Sequence, residues 1–133
     1  MSEERVILLK EYIKAGISPI LISDMPTTLF EDAVILESHC DSSLLNGHYE
    51  NADFVAPSWY LEILEKSKIG VPILIIKDIN KISVEEQSKF GEILKYKKVS
   101  TFNLPNNCIV IVTCTNLEKN VINKDIYSLM AHI

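Results

Sequence analysis

The sequence predicts an α/β domain in which a mainly parallel sheet lies between two layers of helices. Residues 72–76 and 108–113 are short apolar runs with the β-branched content of strands buried on both faces. A charged stretch with a helical pattern separates them. Strands that alternate with helices are typical of a parallel sheet, so we expect a three-layer sandwich.

The length and composition predict one domain that spans residues 1–133. With 133 residues and 47% hydrophobic content, the chain is long enough to bury roughly two thirds of its unfolded surface. Its N-terminus begins with acidic residues and no apolar run approaches the ~20 residues that cross a bilayer. We therefore expect a cytoplasmic protein that does not contact the membrane.

Charge and cysteine content narrow the functional classes. The net charge of −5 opposes a broad attraction to nucleic acid, so a nucleic-acid partner is not expected. Cys40, Cys108 and Cys114 form no CxxC pair, and the last two fall in or beside an apolar strand. They are predicted to be reduced, structural cysteines.

The first predicted element is a helix that begins after Ser2. The serine can cap the helix, Glu3 and Glu4 suit its first turn, and Gly16 follows Lys14 as a stop signal. A strand is then predicted over residues 19–23.

The middle of the chain is predicted to contain a second strand, a loop and a helix. Residues 32–38 suit a buried strand, although the apolar residues around them also fit one face of a helix. Residues 39–53 are polar and rich in turn-forming types, which predicts the longest loop. Pro57 suits the first turn of a helix that ends at Gly70.

The C-terminal half is predicted to contain two further helices. Ser83 and Glu86 form a capping box that opens a helix through about Lys97. Lysines at its end suit the helix dipole. Residues 124–133 form a final amphipathic piece, and no closing strand is expected after it.

The strand ends carry the motifs that resemble a known family. Residues 73–83, ILIIKDINKIS, are similar to the Walker B segment of AAA+ ATPases of the MoxR-like and midasin-like kind, with Lys77 at the magnesium-binding Asp position. Asp78 falls at the catalytic Glu position, and Asn116 matches the sensor-1 Asn. The resemblance implies a P-loop NTPase fold without a lid, in which Asp78 and Asn116 are the catalytic positions if any activity remains.

The predicted phosphate loop has lost the chemistry that binds a phosphate. Where the family has GxPGTGKT, this chain has Ser23, Asp24, Met25, Pro26, Thr27, Thr28, Leu29 and Phe30. Glycines allow backbone N–H groups to turn inward, and a lysine offsets the phosphate charge. Here a proline removes an N–H group, and Leu29 and Phe30 replace the Lys and Thr. No nucleotide cofactor and no metal are therefore expected.

Two other features of the sequence also differ from the family's nucleotide site. An ammonium group has no lone pair, so Lys77 cannot hold magnesium and is predicted to face solvent or to pair with Asp78. Only about ten residues separate the first two strands, which is too few for a loop and a crossover helix.

The family's later elements are also expected to be missing. Residues 122–133 contain no arginine that could serve as a finger, and His132 is the nearest cation. The fifth strand and the lid are expected to be absent, which would leave the edge of the first strand open. An open edge favours a protein partner or self-association.

Two further groups of residues are given structural interpretations. His39, Cys40, Asp41 and His48 can all bind zinc, but their spacing fits no closed site. The aromatic residues near the start of the second predicted helix are expected to fill the core rather than to stack on bases. These are Phe54, Trp59 and Tyr60.

Three functional hypotheses remain open at this stage. The first is a non-hydrolysing AAA+-like domain that acts as a protein-interaction, assembly or regulatory module. The second is a nucleotide-dependent ATPase subunit completed in trans by another chain. The third is a small receiver-like or flavodoxin-like regulatory domain. The first predicts that the Ile109 strand lies between the Ile20 and Ile73 strands, whereas the third places strand one at the centre of five.

Overall fold

The computed structural model describes residues 2–115 and 121–133. Its α-helices are α1 (Glu3–Lys14), α2 (Ser42–Asn46), α3 (Ser58–Ser67), α4 (Val84–Gln87), α5 (Gly91–Tyr96) and α6 (Lys124–Tyr127). Its strands are β1 (Ile20–Ser23), β2 (Val34–Glu37), β3 (His48–Glu50), β4 (Asp53–Val55), β5 (Ile73–Lys77), β6 (Lys98–Val99), β7 (Phe102–Asn103), β8 (Ile109–Cys114) and β9 (Ala131–His132).

Five strands form a parallel central sheet in the order β2-β5-β8-β1-β9. Ile111 of β8 lies opposite Ile20 on one side and Ile75 on the other. The predicted position of the Ile109 strand, between the Ile20 and Ile73 strands, is therefore confirmed. Because β8 rather than β1 is central, the strand order expected of a receiver-like or flavodoxin-like domain is wrong.

The two faces of the sheet are covered unequally. One face packs against α3, α5 and α6 through a large apolar cluster that includes Ile63, Phe90 and Ile126. The other face forms a smaller cluster around Ile22 and Ile75, covered mainly by α1 and the segment after β1. Burial of apolar side chains on both faces is the main stabilising contribution to such a domain. The α/β class with a mainly parallel sheet is confirmed, and the arrangement is compatible with a three-layer sandwich.

The predicted helix boundaries are largely confirmed. Ser2 Oγ accepts a hydrogen bond from the Arg5 N–H at 3.3 Å, and α1 ends just before Gly16, whose φ of +75° favours glycine. Ser83 Oγ accepts from the Glu86 N–H at 3.1 Å, as a cap should. The single helix expected through Lys97 is wrong, because a 3₁₀ turn at Ser88–Phe90 separates α4 from α5.

Residues 39–53 are not one loop as expected. Asp41 caps the short helix α2, where its Oδ1 atom accepts from the Leu44 N–H at 2.8 Å. β3 and β4 then form an antiparallel hairpin whose turn residues, Asn51 and Ala52, both have positive φ. The hairpin strands are largely exposed, so they lack the apolar alternation from which strands are recognised.

The closing strand that the sequence did not predict is present. β9 adds to β1 in parallel, with the Ala131 N–H donating to Pro19 O at 2.9 Å and the Ile133 N–H to Leu21 O at 3.0 Å. The edge of strand one is therefore covered, and the open edge expected there is wrong. Within residues 2–115 and 121–133, the other end of the sheet is β2, which pairs only with β5.

The predicted core role is confirmed for Trp59 and Tyr60, whereas Phe54 is only partly buried. Trp59 and Tyr60 are 5% and 7% exposed, and both polar groups are satisfied. The Trp59 Nε1–H donates to Leu45 O at 3.0 Å, and the Tyr60 hydroxyl donates to Asn103 O at 2.8 Å. Phe54 stacks on Phe102 with ring centres 5.7 Å apart, which ties the β3–β4 hairpin to the rest of the domain. Across the described chain, helices are too short or too polar to cross a membrane.

Candidate functional site

The candidate site lies at the end of the sheet that is formed by the carboxyl ends of the parallel strands. β1 and β8 are neighbours, but their connections run in opposite directions across the sheet. After β1 the chain crosses to β2 at one edge, and after β8 it crosses to β9 at the other edge. Ligands of open α/β sheets bind in the crevice at such a switch point, outside the carboxyl ends of the strands. The segment from Ser23 to Phe30 starts at this crevice. The Asp24 N–H donates to Cys114 O at 2.8 Å, which extends the contact between the two strands beyond their last residues.

Within this segment, apolar side chains turn toward the sheet. Met25 is only 7% exposed, and Leu29 and Phe30 pack against the same apolar cluster as Ile22 and Ile75. Thr28 is exposed. The part of the sheet face next to β1 is therefore covered by the segment's own side chains.

The backbone of the segment is committed to internal contacts. Thr27–Leu29 form a 3₁₀ turn in which the Leu29 N–H donates to Pro26 O at 3.1 Å. Pro26 has no N–H group, and the Asp24 N–H is already bonded to β8. A phosphate cradle needs several inward-facing N–H groups in succession, and three of the eight positions supply none.

Arg5 is a residue of this region that the sequence analysis missed. Its Nη2 atom donates to Ser23 O at 2.7 Å, to Ser23 Oγ at 3.1 Å and to Ile133 O at 3.2 Å. The guanidinium thus links α1 to the ends of β1 and β9. The one signal in the sequence that could have indicated it is its residue type, since Arg5 is the single arginine of the chain.

Asp78 lies at the end of β5, as predicted, and its backbone is fixed on both sides. Its N–H donates to Thr113 Oγ1 at 3.0 Å, and its carbonyl accepts from the Ser38 hydroxyl at 2.7 Å. The residue adopts the left-handed conformation, with φ of +57°. Its position is therefore well defined relative to β2 and β8.

The charge partner of Asp78 is Lys81 rather than Lys77. Lys81 Nζ lies 3.1 Å from Asp78 Oδ2, because the 3₁₀ turn Ile79–Lys81 folds this lysine back toward the strand end. Lys77 instead lies 3.7 Å from Glu37 Oε1 on the neighbouring strand. Of the two alternatives predicted for Lys77, the pair with Asp78 is not formed, and the side chain is instead partly exposed beside Glu37.

Asn116, the sensor-1-like position, lies outside the described residues. Its neighbour Thr115 is held by Asn80, whose Oδ1 atom accepts from the Thr115 N–H at 3.2 Å and whose Nδ2 donates to Thr115 O. The sequence analysis gave Asn80 no such role. The Walker B-like turn therefore holds the end of β8 through a side-chain amide.

The rim of this crevice is acidic around Cys114. The pKa of the Cys114 thiol is raised to about 11, first by burial and then by Asp24, with a smaller rise from Asp78, while Arg5 lowers it. Both aspartates act on the same buried sulfur from the ends of β1 and β5. Two carboxylates beside a crevice repel a triphosphate, whereas the family's loop supplies a lysine there.

The raised thiol pKa values predict a loss of stability at high pH. Burial raises the pKa of Cys108 and of Cys114 from 9.0 to about 11. The unfolded chain therefore ionises first, so this contribution is complete below pH 9 and declines as the pH rises to about 11. Urea unfolding at intervals from pH 8 to 11 should show this decline, and the double variant Cys108→Ala, Cys114→Ala should show a shallower one. Equal slopes in the two proteins would contradict the prediction.

The residues considered for zinc do not converge. Cys40 is buried, Asp41 caps α2, and His48 lies 3.2 Å from Glu50 in the β3–β4 hairpin. In the residues that the structure describes, no group of three or more His, Cys, Asp or Glu side chains is placed to hold a metal ion.

A cavity of about 640 Å³ lies at the opposite end of the sheet, at the amino ends of β2 and β5, and is lined in part by Leu29, Phe30, Ala33 and Ile73. The last two residues of the predicted phosphate loop, Leu29 and Phe30, therefore lie at the end of β5 opposite to Asp78.

Comparisons with known proteins assign no family to the chain. A scan against models of protein families gives no match, and a search of curated proteins finds no significant relative. What the fold defines is an α/β domain with a parallel five-stranded sheet.

Proposed function

We propose that this chain is a non-hydrolysing AAA+-like domain that acts by protein interaction and does not use nucleotide. The proposal rests chiefly on the packing of Met25, Leu29 and Phe30 against the sheet, where a phosphate loop and its helix would otherwise lie. A segment that packs its apolar side chains on the sheet and contains no glycine leaves no cradle for a triphosphate.

The arrangement of the strands supports the AAA+-like part of the proposal. The sheet order β2-β5-β8-β1-β9 places the Walker B-like strand beside the sensor-1-like strand, as the resemblance requires. Asp78 lies at the end of β5 and is hydrogen bonded to Thr113 of β8. Fold alone does not define a function, so the proposal of an inert relative rather than an active enzyme depends on the altered loop.

Charge supports the nucleotide-independent part. The crevice carries Asp24 and Asp78, and the nearest cations are already engaged, Arg5 with Ser23 and Lys81 with Asp78. ATP with magnesium would need cations or glycine N–H groups that this rim does not supply.

Thermal unfolding with and without nucleotide tests the proposal. A ligand at 100 times its Kd stabilises the folded state by about 2.7 kcal/mol, which for a domain of this size raises Tm by about 8 °C. At 5 mM ATP and excess magnesium we expect no shift, with magnesium alone as the control. A rise of several degrees specific to ATP or ADP would overturn the proposal.

A second candidate is a nucleotide-dependent ATPase subunit completed in trans. The fixed position of Asp78, which is 13% exposed at the end of β5, favours it. Phosphate release from ATP distinguishes the two candidates. Release by the wild-type chain that the Asp78→Asn variant abolishes would favour the enzyme, and absence of release favours the interaction module.

A further inference from the structure

The edge strand β2 offers a regular pattern of free backbone groups. The Ser38 N–H donates to Lys77 O at 3.2 Å, so the even-numbered residues of this segment direct their backbone groups toward β5. The odd-numbered residues Ala33, Ile35 and Glu37 therefore direct theirs away from the sheet. In the described residues, no strand pairs with this side of β2.

Two of the six outward groups are already satisfied within the chain. The Ala33 N–H donates to Phe30 O at 3.3 Å, and Glu37 O accepts from the Cys40 N–H at 3.1 Å. The remaining outward groups are the N–H of Ile35, the carbonyl of Ile35, the N–H of Glu37 and the carbonyl of Ala33. The satisfied groups lie at the two ends of the edge, symmetrically about Ile35.

This pattern is complementary to itself. In an antiparallel pair centred on Ile35, the two copies of Ile35 exchange both of their hydrogen bonds. The Glu37 N–H of each copy meets the Ala33 carbonyl of the other. The groups that would face each other next, the Ala33 N–H and the Glu37 carbonyl, are the two already satisfied internally. A foreign strand in this register would bring free groups opposite those two positions.

We propose that two copies of this chain pair through antiparallel contact of their β2 strands, with Ile35 on the two-fold axis. The two five-stranded sheets then form one continuous sheet, which is strand addition between identical partners. Ile35 is 44% exposed, and pairing places it against its counterpart in the second copy.

The charge on the edge strand agrees with this register. Glu37 is the one charged residue within β2. Glu37 lies within ion-pair distance of Lys77 in its own chain and meets Ala33 across the interface. No two carboxylates are brought directly opposite each other, an arrangement that would be destabilising.

This proposal names a second copy of the chain as the partner of the proposed interaction module, and so rests on that function. Experiments can nevertheless disprove the dimer and the nucleotide-independent function independently of each other. A chain that is monomeric and indifferent to ATP would remove only the dimer. A dimer that binds ATP would remove only the nucleotide-independent function.

Solution mass tests the dimer directly. Sedimentation equilibrium of the full chain should give twice the mass of 15.1 kDa at high micromolar concentration. The variant Ile35→Lys places two like charges opposite each other and should weaken the dimer at least about tenfold. The control Ile7→Lys changes an isoleucine on α1 that is 56% exposed, against 44% for Ile35, and should leave the dimer unchanged. A monomeric wild-type chain, or equal effects of the two lysines, would overturn the proposal.

Disulfide trapping tests the register. Residues opposite each other in a hydrogen-bonded pair have Cα atoms about 5.5 Å apart, so Ile35→Cys should form a covalent dimer under mild oxidation. In the same dimer the two copies of residue 37 lie about 13 Å apart, and Glu37→Cys should not cross-link. The wild-type chain controls for its three buried cysteines. Cross-linking of Glu37→Cys as fast as Ile35→Cys would contradict the register and the proposal.

Discussion

Replacing Gln87 by Leu should lower the free energy of unfolding by about 3 kcal/mol. Gln87 is fully buried, and its side chain joins α4 to the segment that leads into α6. Its Nε2 atom donates to Val121 O at 2.6 Å and to Ile82 O at 3.3 Å, and its Oε1 atom accepts from the Asn123 N–H at 2.7 Å. Leucine has a similar volume but leaves these three backbone groups without their partner.

The consequence extends to β9, which follows α6. If Gln87 holds the start of the C-terminal segment, its loss should also expose the edge of β1 to hydrogen exchange at Leu21, whose backbone groups face β9. Urea unfolding measures the stability, and the exposed neighbour Glu86→Gln serves as a control with an expected change below about 0.5 kcal/mol. Equal stability of the two variants would show that Gln87 is not a structural link.

Placing the lysine and threonine of an AAA+ phosphate loop at positions 29 and 30 should damage the protein without creating a nucleotide site. We expect the double variant Leu29→Lys, Phe30→Thr to lose about 3 kcal/mol of stability, because it removes two apolar side chains that pack on the smaller cluster. The path of the segment explains the absence of any gain. Only residues 24–33 join β1 to β2, and they contain a single 3₁₀ turn instead of a crossover helix.

Unfolding in urea and thermal unfolding with ATP and magnesium check the two parts of this prediction. The control Thr28→Lys adds the same charge at an exposed position of the same segment, and should cost much less stability. An ATP-dependent rise in Tm for the double variant would show that the backbone can still form a cradle. The proposal that the crevice has been filled would then be wrong.

Elements with strong local signals were predictable from the sequence. Ser2, the two glutamates after it and Gly16 predict α1 within a residue or two, because a cap and a stop act through neighbours in the chain. The buried strands β5 and β8 were also recognisable, because a strand covered on both faces is apolar at nearly every position.

Elements that depend on distant partners were not predictable. β9 has two residues and exists because β1 offers it a free edge. The β3–β4 hairpin is largely exposed and is held through Phe54 on Phe102, a contact across nearly fifty residues. Neither element carries an apolar period of its own.

The candidate site shows the same division. The sequence alone predicts that the site lacks the groups that bind a phosphate, since Pro26, Leu29 and Phe30 cannot supply glycine N–H groups or a lysine. It does not state that Met25 turns into the core, that Lys81 pairs with Asp78, or that Arg5 reaches Ser23. Each of these depends on how the chain turns after a strand ends.

By itself, then, the sequence determined the α/β class, the buried strands and the absence of glycine and lysine from residues 23–30, because residue type and local spacing carry that information. Only the tertiary structure decided which edge of the sheet is open, what fills the crevice, and which charges meet. Those properties arise from contacts between residues far apart in the chain, and they are settled when β1 lies between β8 and β9 and β2 is left at the edge.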